Sequence, residues 1–204
     1  MPGRYFLTRP MTEIATVLGV SNTAPGQSAR SNIQPGQEMV VLTTRGLVSM
    51  RWGMIPVGRV NARGRPVMET IINARSETVF DKAAFEGVGR AVVPVDGWYE
   101  WTGEKRRKTA WRIASKDGAP LFFAAITDRW QAPGGLHVDQ FAAVTCEPNA
   151  DLEPIHHRMG VLLDLAGVQL WLTAPEEQAK ELAQPWPNGL LHIEQATDVD
   201  WTAP

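Results

Sequence analysis

A single cysteine, Cys146, stands in 204 residues, so no disulfide framework within the chain holds this fold. The four histidines fall at no spacing that ligates a metal, and the sequence calls for no cofactor. No apolar run approaches the roughly 18 residues that a membrane helix needs. The opening MPGRYFLTRP lacks the basic-then-apolar pattern of a signal peptide. Neither sign of charge dominates: 20 Lys and Arg against 22 Asp and Glu leave a net charge of −2. Any nucleic-acid binding must therefore come from a local patch rather than a basic face. Tyrosine is scarce too, two against eight tryptophans, which favours large flat side chains for a core or for stacking on bases. With 44% hydrophobic and 21% charged residues, these exclusions leave one folded, soluble, cytoplasmic domain with no membrane partner.

The chain is organised around residues 71–101, which hold two polar islands in apolar surroundings. The first is Asn73-Ala74-Arg75-Ser76-Glu77-Thr78. The second, Asp96-Gly97-Trp98-Tyr99-Glu100-Trp101, follows the strand-like run Ala91 to Val95. Between them, Val79 to Gly87 reads as a short amphipathic helix. Asp-Gly after a strand predicts a turn into a second strand, on which Trp98 and Glu100 share one face while Tyr99 and Trp101 share the other. Set among aromatics, a desolvated Glu100 has a pKa raised toward the range useful for acid–base work. An exposed edge-strand glutamate fits the same spacing.

Elsewhere Thr12 is placed to cap a helix from Glu13 to Leu18, ended by Gly19. Residues 24–37 read as loop and extended chain. Met39–Thr43 and Gly46–Trp52 form a hairpin across Thr44-Arg45. Arg59, Arg63 and Arg65 lie in a Gly-containing loop suited either to phosphates or to solvent. A basic tip, Gly103 to Lys108, joins strands at 98–102 and 109–114. Leu121–Ile126 and Phe141–Cys146 read as buried strands, Val168–Leu172 and Glu176–Leu182 as closing helices, and Asn188–Thr197 as a strand-like tail. Many short strands at hairpin spacing with few helices predict a single α+β domain with an antiparallel-rich sheet, curled or barrel-like, and peripheral helices. Glu100 with His156 suits a general acid/base pair, and Asn73 with Arg75 can orient an oxygen-rich substrate. Cys146 with His156 or His157 is the generic nucleophile–base alternative, but an inert thiol is favoured because Cys146 ends an apolar strand.

Four segments, Arg51-Trp52-Gly53-Met54-Ile55-Pro56, Asn73 to Thr78, Val93 to Trp101 and Ile155-His156-His157-Arg158-Met159, occur in the order and rough spacing of a known family. With Gly3-Arg4-Tyr5 and residues 32–35, the chain resembles the SOS response-associated peptidase (SRAP) family across about residues 2–175, leaving 176–204 as a C-terminal helix and tail of one domain. The resemblance implies a monomer that processes abasic sites in single-stranded DNA, cytoplasmic and associated with the nucleoid on damage. It implies that the N-terminal residue traps the ring-opened sugar aldehyde, that Asn73 holds this residue and the sugar-derived atoms, that Glu100 is acid/base in ring opening and imine formation, and that His156 protonates or orients the same centre. By the same resemblance Arg4, Arg75, Arg90 and Arg158 grip phosphates, while Trp52 and Met54 stack on or wedge beside bases.

Family members usually begin Met-Cys-Gly-Arg, whereas this chain begins Met1-Pro2-Gly3-Arg4. Without a thiol at position 2 no thiazolidine forms there. Removal of Met1 leaves a secondary amine on Pro2, and an α-amino group titrates near ~7.7–8.0. Such an amine forms an iminium with an aldehyde, a transient Schiff base suited to a lyase. The alternative is a single-strand or abasic-DNA binding module that has lost its nucleophile. A peptidase acting on Met1, as the family name suggests, ranks below both, since no Ser/His/Asp signature appears.

Overall fold

The computed structural model describes residues 2–22, 26–55, 70–81, 85, 87–104, 107–131 and 134–202. Twelve strands run in chain order among them: β1 (Tyr5–Leu7), β2 (Arg30–Ile33), β3 (Glu38–Thr43), β4 (Gly46–Trp52), β5 (Asn73–Arg75), β6 (Gly89–Val95), β7 (Gly97–Thr102), β8 (Thr109–Ser115), β9 (Leu121–Gln131), β10 (His137–Cys146), β11 (Met159–Gly160) and β12 (Leu191–Gln195). The helices are α1 (Met11–Leu18), α2 (Ser76–Val79), α3 (Leu165–Thr173) and α4 (Glu176–Glu181).

The strands form two sheets. The larger runs β11-β10-β4-β3-β6-β9, and an additional pairing of β9 with β10 closes it on itself. β10 is the hub: it pairs antiparallel with β9 and β11 and parallel with β4 and β5. The smaller sheet, β12-β8-β7-β1-β2, is antiparallel throughout. The curled, antiparallel-rich character matches the expectation from hairpin spacing. Closure removes free edges from a sheet whose strands are apolar enough to invite pairing with other chains.

The chain crosses between the sheets at Asp96-Gly97. The expected turn into a second strand is a corner between sheets, because β6 pairs with β9 and β3 while β7 pairs with β8 and β1. The Asp96 carboxylate accepts from the backbone N–H of Thr8 (2.6 Å), the Thr8 hydroxyl (2.7 Å), the Arg9 N–H and the Arg9 guanidinium. Those bonds tie the start of the chain to the corner. At Gly97 a Cβ would lie 2.1 Å from the Ile113 carbonyl oxygen and 2.5 Å from the Phe6 ring, so no side chain fits.

The core lies between the sheets and inside the closed one. Trp52, Trp98 and Trp171 are fully buried with Tyr5, Phe123 and Phe141. Phe123 receives the edges of Tyr5 and Trp98, at 5.1 and 5.3 Å between centroids, which joins the two sheets.

Several boundaries move for physical reasons. β9 and β10 continue past their apolar runs because the backbone ladder extends to Gln131 opposite His137, reinforced by an Arg129–Asp139 ion pair at 2.6 Å. α1 starts at Met11 after Pro10, whose fixed φ suits a helix entry, so Thr12 is not the cap; Gly19 ends it in the left-handed conformation, as expected. Only α2 forms at the start of the predicted 79–87 helix, and residues 82–84 and 86 lie outside the described residues, as do Arg59, Arg63 and Arg65.

Candidate active site at the amino terminus

Pro2, immediately before β1, is buried, and its carbonyl oxygen accepts from the Asn73 side-chain amide at 2.9 Å. Asn73 opens β5, a three-residue strand held against β10 in the register Asn73 opposite Ala143. Its own Oδ1 is buried and has no hydrogen-bond partner among the described residues. Asn73 therefore fixes the first residues of the chain by one end of its amide and keeps an acceptor in reserve at the other.

Glu100 sits on β7, which lies between β1 and β8, so it is on an interior strand and not on an edge. It is 3% exposed. Alternation along β7 works as predicted: Tyr99 lies on the opposite side of the sheet from Trp98 and Glu100, buried there with its hydroxyl donating to the Ser31 carbonyl and its ring meeting Trp201. Burial raises the Glu100 pKa above the usual carboxylate range, opposed in part by the positive charge of the amino terminus and by the Trp98 indole N–H.

His156 ends the turn that follows β10, with its N–H donating to the Leu152 carbonyl at 2.9 Å. Its ring stacks on His157 at 4.4 Å between centroids. Burial, then the positive amino terminus, then His157 lower its pKa to about 4, so it is neutral at physiological pH. His156 Nδ1 lies 3.0 Å from the Arg158 backbone nitrogen and 3.1 Å from the Arg158 carbonyl oxygen, so Arg158 fixes the ring's orientation whichever nitrogen carries the proton. The amino-terminal charge thus acts on both Glu100 and His156, and Asn73 holds the adjacent carbonyl. β5, β7 and the loop before β11 thus bring Asn73, Glu100 and His156 to the start of the chain.

The expected DNA contacts divide. Arg75 is exposed at the end of β5, and Arg4 is half-buried with one guanidinium N–H on the Gly3 carbonyl, burial lowering its pKa. Arg158 does not face outward to take a phosphate. It is 7% exposed, and its guanidinium donates to both Glu77 carboxylate oxygens and to the Thr145 carbonyl at 2.6 Å, which ties α2 to β10. That pairing holds Glu77 down at about 2. Arg90 caps the end of α3 by donating to the Ala174 carbonyl. It lies five residues, roughly 16 Å of strand, from the end of β6 that meets the corner. Trp52 is 0% and Met54 2% exposed, so neither offers a stacking face. The Trp52 indole donates to the Ile72 carbonyl at 2.9 Å and its ring packs on Tyr5 at 4.4 Å, because the Trp-Gly-Met stretch ends a strand of the closed sheet. Cys146 is buried and its thiol is pushed up to about 12, which removes it as a nucleophile near neutral pH.

Sequence reasoning missed Tyr5 and Thr145 at or beside the site. Tyr5 lies within the Gly3-Arg4-Tyr5 stretch, and its alternation with outward Phe6 is the signal that places it on the Glu100 face.

The family model for SOS response associated peptidase (SRAP) matches residues 1–199. The chain belongs to this family. It is 29% identical over 199 residues to the abasic site processing protein YoqW of Bacillus subtilis, covering 91% of this chain and 88% of that one. It is 30% identical over 182 residues to YoaM of the same organism, covering 84% and 79%, and 29% identical over 178 residues to YedK of Escherichia coli, covering 84% and 76%; both bear the same description. A crystal structure of a protein from Bacteroides thetaiotaomicron shares the fold with a TM-score of 0.82 at 20% identity, covering 96% of this chain and 92% of that one.

Proposed function

We propose that this SRAP protein processes abasic sites in single-stranded DNA through a transient Schiff base on Pro2. The observation that carries the reading is the Asn73 amide on the Pro2 carbonyl, with buried Glu100 and neutral His156 under the influence of the same amino terminus. Hydrolytic removal of Met1 frees the Pro2 secondary amine. The protonated Glu100 delivers its proton to the sugar ring oxygen while its carboxylate takes the proton of the C1 hydroxyl, and the ring opens to the aldehyde. The Pro2 nitrogen lone pair attacks the aldehyde carbon, the amine proton passes to the new oxygen, and a carbinolamine results. Glu100 then protonates the carbinolamine hydroxyl, water leaves, and an iminium remains. His156 stays neutral and orients the sugar-derived oxygen. The Glu100 carboxylate takes a proton from the adjacent carbon, the neighbouring C–O bond breaks with the phosphate as leaving group, and hydrolysis of the iminium restores the amine. Arg4 and the exposed Arg75 are the cations placed for the DNA backbone, enough for a local patch on a chain of net charge −2.

The second reading keeps DNA binding and loses the nucleophile; the proline at position 2 is what favours it. Intact mass after incubation with abasic single-stranded DNA separates the two. The lyase reading expects an adduct only with borohydride, at a mass lacking Met1. No wild-type adduct beside a durable one in Pro2→Cys establishes the binding module.

A further inference from the structure

Tyr5 is fully buried, yet among the described residues its phenol oxygen has no hydrogen-bond partner. A buried hydroxyl left in that state destabilises a fold, and phenylalanine would fill the same space without the penalty. The ring is fixed between Trp52 and Phe123, at 4.4 and 5.1 Å between centroids. In the pairing of β1 with β7, Tyr5 stands directly opposite Trp98. Glu100, two residues along the same face, is its diagonal neighbour, a backbone separation of roughly 7–8 Å that two long side chains span. The charge on Glu100 acts on the Tyr5 phenol, which fits that placement.

We propose that Tyr5 is a positioning residue for Glu100: its hydroxyl, unengaged in the resting site, donates to the Glu100 carboxylate whenever Glu100 gives up its proton. The inference rests on the reading of Glu100 as the acid/base of the abasic-site reaction. When Glu100 transfers its proton to the sugar ring oxygen or to the departing hydroxyl, the carboxylate left behind is buried and accepts from the Tyr5 O–H. The phenol keeps its own proton, since burial foremost and the Glu100 charge next hold it well above its ordinary acidity. Glu100 later recovers its proton from the substrate side, so no net proton is consumed. The groups acting on Glu100 are the positive amino terminus and the Trp98 indole on β7, and Glu100 acts in turn on the Tyr5 phenol of β1. When a substrate occupies the amino terminus, the donors left to the carboxylate are the Trp98 indole and the Tyr5 phenol.

The test reads Glu100 directly, by carbon-13 NMR titration of the glutamate carboxyls, with Glu100→Gln to assign the signal. Tyr5→Phe is expected to move the Glu100 midpoint up by about one unit, a tenfold change in its ionisation equilibrium, with a melting temperature unchanged or higher. Incorporation of 3-fluorotyrosine, a stronger donor, is expected to move it down; Tyr99, the other tyrosine, faces the opposite side of the sheet. In trapping assays on abasic single-stranded DNA, the Glu100 limb of the pH–rate profile is expected to shift by the same amount. Superimposable titrations in wild type, Tyr5→Phe and fluorinated protein would overturn the inference. The titration needs no DNA, so a shifted Glu100 in a protein that never reacts refutes the abasic-site chemistry and leaves the Tyr5–Glu100 coupling standing.

Discussion

Trp52 shows how a residue type can suit one role in sequence and be committed to another by its surroundings. An indole beside a glycine and a methionine suits base stacking, yet here it is enclosed by Tyr5 and by Phe141, with which it stacks at 6.4 Å. Trp52→Phe removes volume from the core and leaves the Ile72 carbonyl without its donor. We expect a stability loss of about 1–3 kcal/mol in chemical denaturation, with single-strand affinity changed less than twofold. Unchanged stability with a loss of affinity worth a stacked base, ~1–3 kcal/mol, would restore the stacking role. Glu100 is the opposite case: alternation placed it on the right face, and only the neighbouring strands β1 and β8 converted that face into a desolvated site.

Among the elements, β10 and β11 carry the most constrained packing. Gly160 of β11 faces the Phe123 ring so closely that a Cβ would lie 1.9 Å from it. Phe123 in turn bridges Tyr5 and Trp98, so it has no room to retreat. Gly160→Ala is expected to destabilise by about 3 kcal/mol, at the upper end for overpacking, measurable as a lower denaturation midpoint at unchanged m-value. A stability within 0.5 kcal/mol of wild type, taken as ~0.5 for an innocuous surface change, would mean that this contact is not tight. The same element depends on Arg158, whose bonds to Glu77 and Thr145 fasten α2 and β10 just ahead of the His156 turn.

For the whole molecule, acid stability follows from two groups of opposite chemistry. His156 has a folded pKa of about 4 against an ordinary 6.5. Below about 6.5 the unfolded chain takes up a proton that the folded protein refuses, so stability is complete above that pH and falls toward pH 4. Glu77, held at about 2, adds stability present above its ordinary 4.5 and lost as the pH drops through 2. We expect denaturation midpoints to decline in two stages, and His156→Gln to flatten the upper one. A stability curve level from pH 7 to pH 4 in wild type would contradict the burial of this ring.

Much of this was legible in the chain. Strand-forming runs, the Thr44-Arg45 hairpin, the alternation of Trp98 and Glu100 and the αL stop at Gly19 are local consequences of side-chain period and turn chemistry, and the motif order carried the family. The absence of a thiol at position 2 is likewise fixed by the sequence. Tertiary structure decided the rest. Sheet closure through β9 and β10, the corner at Asp96, the burial of Trp52 and Met54 and the inward ion pair of Arg158 depend on which distant strands meet. Residue spacing reports the face on which a side chain lies, while exposure and pKa depend on what covers that face. That covering comes from contacts between segments far apart in the chain, and Glu100 became a desolvated acid beside Tyr5 only when β1 paired with β7.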